Sequence, residues 1–157
     1  MPRAITPSAL ALSLAILSAA SVAFAGPSPE GWWQSIDDKT GAAKSVIHIT
    51  SDKGALSGKI EKLFRKPDQN QNPLCEVCDG TRKDQPVIGM TIIWGMKPDG
   101  SVWDKGSIVD PGTGKTYKCK MELGPDGKTL SVRGYLGFSL LGRSQTWKRI
   151  APPSPAG

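Results

Sequence analysis

The chain has 157 residues and a formal net charge of +6, with 38% hydrophobic and 22% charged residues. That length suits one domain. Its lysines and arginines stand singly along the chain and form no dense basic run, which argues against a nucleic-acid partner.

The first 25 residues read as a secretory signal peptide. Arg3 supplies the positive end, Ala9 to Leu17 the apolar stretch, and Ala23-Phe24-Ala25 a small-x-small cleavage site. The apolar stretch is shorter than the roughly 20 residues a membrane helix needs, and no later segment reaches that length. No cysteine follows the cleavage site, which argues against a lipid anchor. Removing this segment deletes Arg3 and no acid, so the charge falls from +6 to +5. The expected product is a soluble periplasmic or secreted protein of one domain over residues 26–150, with a disordered Pro/Ala/Ser-rich tail at 151–157.

After the leader the pattern is β throughout. Gly31 to Ile36 reads as a first strand, ended by Asp37-Asp38-Lys39-Thr40-Gly41. A second runs near Lys44 to Ser51 and a third from Leu56 to Leu63, with Ser51-Asp52-Lys53-Gly54 as the turn between them. Phe64 to Gln85 is irregular, rich in Pro, Asn, Asp and Gly, and long for a loop in a compact domain. Pro86 to Met96 resumes β character with apolar residues on both parities, as in a strand covered on both sides. Lys97-Pro98-Asp99-Gly100 is a turn.

The clearest hairpin follows, from Trp103 to Leu123, with its turn at Asp110-Pro111-Gly112-Thr113-Gly114. Its second strand has an apolar face of Tyr117, Cys119, Met121 and Leu123 and a charged face of Lys118, Lys120 and Glu122. Gly124-Pro125-Asp126-Gly127 turns the chain into a strand over Thr129 to Leu136, with Leu130, Val132, Gly134 and Leu136 on one parity. A glycine-bounded apolar connection, Gly137 to Gly142, leads to a last strand over Arg143 to Ile150. About eight short strands joined mostly by tight turns predict an all-β fold, a single up-and-down antiparallel barrel. Closure of the sheet leaves no unpaired edge.

Two features at the chain ends resemble lipocalin-like (calycin) barrels. Gly31-Trp32-Trp33 carries a Gly-x-Trp pattern on the first strand, and Arg149 lies on the last. The resemblance implies that Arg149 covers Trp32 or Trp33 and closes the barrel base. A guanidinium can stack on an indole while its donors bind carbonyls at strand ends. A longer ordered match includes Trp103-x-x-Gly106-x-Ile108-x-Asp110-Pro111-x-x-Gly114-Lys115-x-Tyr117. Leu130-x-Val132-Arg133-Gly134-Tyr135 and Leu141-Gly142-Arg143-x-Gln145-Thr146-Trp147-x-Arg149 continue it. It is similar to the exported bacterial family called domain of unknown function 2147. This resemblance implies a small lipocalin-like barrel and supplies no reaction.

The residues that could carry chemistry are few. Cys75 and Cys78 form a C-x-x-C in a polar loop of an all-β chain, without the βαβ context of a redox enzyme. Export favours a structural disulfide. The preferred pair is Cys75–Cys78, with a bridge from either to Cys119 as the alternative. His48, the only histidine, alternates with Ile47 and Ile49 and is expected to face solvent. No metal site and no catalytic pair follow from it. Asp68, Asn70, Asn72 and Asp79 lack the spacing of a calcium loop. Asp110-Pro111 with Gly112 and Gly114 lacks the ending of a phosphate loop and reads as a turn. Asp104 shares parity with Gly106 and Ile108; inside a barrel it would need a partner such as Arg133, Arg143 or Lys115.

The sequence therefore predicts a non-enzymatic barrel, without cofactor, that holds a small apolar or amphipathic ligand such as a fatty acid. The expected lining is Leu56, Ile60, Tyr117, Met121, Leu123, Leu130, Val132 and Leu136, with Asp104 or an arginine such as Arg133 near the mouth. The alternative is a packed barrel whose loops bind an envelope partner.

Overall fold

The computed structural model describes residues 26–138 and 140–154. The expected signal peptide and residues 155–157 of the tail lie outside the described residues. Alternating apolar and polar side chains produce eight strands: β1 (Gly31–Ile36), β2 (Ala43–Asp52), β3 (Ala55–Leu63), β4 (Thr91–Asp99), β5 (Val102–Val109), β6 (Thr116–Leu123), β7 (Thr129–Tyr135) and β8 (Gly142–Ile150). Each pairs antiparallel with its sequence neighbour, and β1 pairs with β8, so the barrel is closed and up-and-down. Among the described residues no helix is long and apolar enough to cross a membrane.

One expected strand is displaced along its sequence pattern: β4 starts after Met90 and runs on through Lys97, Pro98 and Asp99, expected as a turn, which pair with Asp104, Trp103 and Val102. Pro86 to Met90 precede β4 instead of belonging to it. Val87 N–H donates to Pro73 O and Met90 N–H to Val87 O, bonds that hold a compact loop, while Gly89 N–H and Met90 O still pair with Ile60 of β3. The apolar character there is still used, because Val87 and Met90 are buried. The double parity of Ile92 and Ile93 has a local cause as well. The β3–β4 register shifts between Gly58, opposite Ile93, and Lys59, opposite Thr91. Such a bulge lets both isoleucines turn inward, and both are buried.

One end of the barrel is closed by Arg149. Its guanidinium carbon lies 4.2 Å from the Trp33 ring centroid. Its three nitrogens donate to Gly127 O at 2.6 Å, Glu30 O at 2.8 Å and Ser28 O at 2.8 Å. Trp33 is fully buried and donates its own indole N–H to Pro29 O at 2.7 Å. Trp33 is thus the inward tryptophan of the pair. Trp32 points the other way and stacks on His48, with centroids 4.0 Å apart. Gly31 explains the Gly-x-Trp spacing: it has φ 121°, and a Cβ there would sit 2.9 Å from Arg149 Nη1. Above this plug the barrel is filled by Ile49, Leu56, Met96, Met121 and Leu130, all buried.

Arg149→Ala removes three charge-assisted bonds and the ring contact together. It should lower stability by about 2–4 kcal/mol, read as a urea midpoint shift. Arg149→Lys should recover little of it, because an ammonium cannot reach three carbonyls in one plane.

Candidate ligand cavity

At the end opposite Arg149 the barrel is open. A cavity of about 620 Å³ runs between the strands there. Its inner wall is apolar, built from Ile47, Ile60, Ile92, Ile108, Val132 and Trp147. These residues alternate inward along β2, β3, β4, β5, β7 and β8, so the same period that closes the core also lines the cavity. Two pairs of polar side chains are set into this wall. Ser35 and Ser45 are buried in the wall with their hydroxyl oxygens 2.6 Å apart. Trp147 donates its indole N–H to Gln145 Oε1 at 3.2 Å.

The mouth carries charge. Lys44, Arg65, Asp110 and Arg143 all contribute to it. Arg143 bonds Asp38 through Nε at 2.9 Å and through Nη2. Asp110 is occupied within its own turn, accepting from Gly112 N at 2.9 Å and from the Thr113 hydroxyl at 3.3 Å. Lys44 and Arg65 are exposed and form no salt bridge among the described residues.

The long β3–β4 connection forms one side of the mouth through Arg65, Pro73, Leu74 and Val87. It contains a short 3-10 turn, Gly80–Arg82, and is stapled by the Cys75–Cys78 disulfide, with Cα atoms 5.3 Å apart. The staple rests on the β5–β6 turn. Cys75 Sγ lies 3.4 Å from Pro111 O. Gly114, at φ 73°, presses its backbone against Val77 so closely that any Cβ would collide with the Val77 carbonyl. Arg82 lies over the Trp94 ring at 4.1 Å, a second attachment to the outer wall.

The residues proposed from sequence fall in three places. Ile60, Tyr117, Val132 and Leu136 line the cavity. Leu56, Met121 and Leu130 are buried in the packed half nearer Arg149, with Leu123 packed partly buried against that core, and none of them lines the cavity. Asp104 and Arg133 do not line it either. Arg133 donates to Ser144 Oγ at 3.0 Å, and Asp104 accepts from the Tyr135 hydroxyl at 3.2 Å. The expected partners of Asp104 were basic, but its side-chain partner is this phenol.

The inward expectation for Asp104 fails because β5 changes parity. Lys105 has φ 65°, and the β5–β6 register slips between Trp103, opposite Met121, and Gly106, opposite Cys119. One irregular residue exchanges the faces of everything before it. Ser35, Ser45, Lys44, Arg65, Gln145 and Trp147 also line the cavity, and the sequence pattern does not assign them to it. Ser35 was within reach, since it shares parity with Trp33. Arg65 sits where no period operates.

A family model described as an uncharacterized protein conserved in bacteria (DUF2147) matches residues 31–149. The chain belongs to the DUF2147 family. No curated protein matches it. Among solved structures, this DUF2147 barrel is similar to protein HP1028 from the human pathogen Helicobacter pylori, described as belonging to the lipocalin family. The TM-score is 0.65 at 14% identity, over 78% of this chain and 82% of that one. At that identity the likeness is one of fold, and the fold is lipocalin-like.

The third cysteine of this family member, Cys119, is free and buried. Burial, and secondarily the charge of Asp104, push its thiol from 9.0 up to about 12. An acid whose folded value is raised stabilises the fold below its unfolded value and loses that contribution as pH rises towards the folded one. Stability should therefore decline between about pH 9 and about 12, less steeply in Cys119→Ala, as read by urea midpoints across that range. In native protein near neutral pH, iodoacetamide should leave Cys119 unmodified, and peptide mapping without reductant should recover Cys75 linked to Cys78.

Proposed function

We propose that this protein is an exported, non-enzymatic carrier that holds a small apolar or amphipathic molecule, such as a fatty acid or lipid fragment, in the open half of its barrel. The observation that carries the reading is the division of the interior. One half is filled with side chains, and the other leaves about 620 Å³ walled by aliphatic and aromatic residues. That volume lies within the usual range of ligand pockets, roughly 300–1,000 Å³. An extended hydrocarbon chain suits the inner wall, and a polar head suits the mouth at Lys44 and Arg65. The predicted leader and the Cys75–Cys78 pairing support a periplasmic or secreted location. Ile60 and Val132 are the lining residues whose enlargement would fill the cavity from opposite sides of the wall.

The test is to fill the space. Val132→Trp should abolish binding of a fluorescent fatty acid while leaving the β-sheet circular dichroism intact, at a cost of about 1–3 kcal/mol in stability. Native mass spectrometry of protein from its own host should show a lipid-sized adduct that the variant lacks. Equal probe binding by the variant and the parent would remove the cavity from the account.

A further inference from the structure

The apolar surface of the molecule is gathered at one end. In the β7–β8 loop, Leu136 is 57% exposed, Phe138 80%, Leu140 89% and Leu141 70%. Phe64, Leu74 and Val77, the other exposed large apolar side chains among the described residues, belong to the β3–β4 connection. In an up-and-down barrel both connections emerge at the same end, and here it is the mouth. The end sealed by Arg149 shows no comparable side chain among the described residues. Scattered apolar residues on a surface need no explanation, but a cluster on one rim does.

We infer that this rim is a docking surface for an anionic lipid bilayer, with Phe138 and Leu140 inserting at the interface. Three observations choose a bilayer as the occupant. The exposed side chains stand on separate loops around an opening, an uneven contour that a fluid surface can accommodate. Lys44 and Arg65 are exposed among them, while Asp38 pairs with Arg143, Asp110 is held in its own turn, and Asp37, the acid that faces Lys44, accepts from Thr40 in its turn. Apolar insertion combined with basic residues is the chemistry that binds anionic lipid. Finally, Leu136 and Leu141 both line the cavity, so the apolar surface is continuous from the rim to the interior. A hydrocarbon chain could pass between bilayer and barrel without crossing water. This docking extends the carrier reading but does not require the cavity to be filled.

The experiment is co-sedimentation of the exported protein with vesicles of phosphatidylcholine alone or mixed with phosphatidylglycerol. Binding should be strong to the mixed vesicles, weak to the neutral ones, and reduced by salt. The double variant Phe138→Ser with Leu140→Ser should bind mixed vesicles about tenfold or more weakly, given the apolar area removed. Neither residue lines the cavity, so the variant should bind the fluorescent fatty acid as the parent does. That probe reading separates failure of docking from failure of the carrier role. Equal sedimentation of parent and double variant, or no binding to mixed vesicles, would overturn the proposal. So would a dimer in analytical ultracentrifugation that the double variant abolishes, since the rim would then be covered by a second copy.

Discussion

The stacking of Arg149 on Trp33 is the contact on which the rest of the molecule depends. It joins the last strand to the first, ties three carbonyls from two segments into one cation, and seals one end of the barrel. A half-buried guanidinium is tolerated when its donors are satisfied, and here the carbonyls supply that. With one end sealed, side chains can fill that half closely, and open space collects in the other. The cavity, the long β3–β4 connection and the exposed apolar side chains all lie at the end away from the plug.

The architecture was largely legible because β-strands announce themselves by period and turns by residue type. Seven of the eight strands lie within a residue or two of where alternation and turn signals place them. The exception is the start of β4, whose composition is strand-like but where Val87 and Met90 give their amides to Pro73 and Val87 within a loop. Composition reports burial, and burial there is real. It does not report which partner receives a hydrogen bond.

The site was less legible, for two separate reasons. Parity tells which face a residue takes but not how far along the barrel axis it lies. Met121 and Leu130 face inward as expected, yet they sit at the filled end. Asp104 illustrates the second reason. A single lysine in a left-handed conformation reverses the faces of β5, and lysine gives no sequence warning of this as a glycine would. Mouth residues such as Arg65 and Pro73 come from a connection without any period, so only the folded chain brings them to the cavity.

The Cys75–Cys78 staple has a consequence for the protein in its reduced state. The ring it closes spans a sequence separation of only 3, so it removes little freedom from the unfolded chain compared with a bridge to distant Cys119. The strand pairings of the barrel therefore owe little of their stability to this bond. What the bond governs is the connection resting on Gly114 and Pro111, which is one wall of the entrance. A molecule kept reduced would carry the same strand pairings with a looser connection beside Gly114 and Pro111.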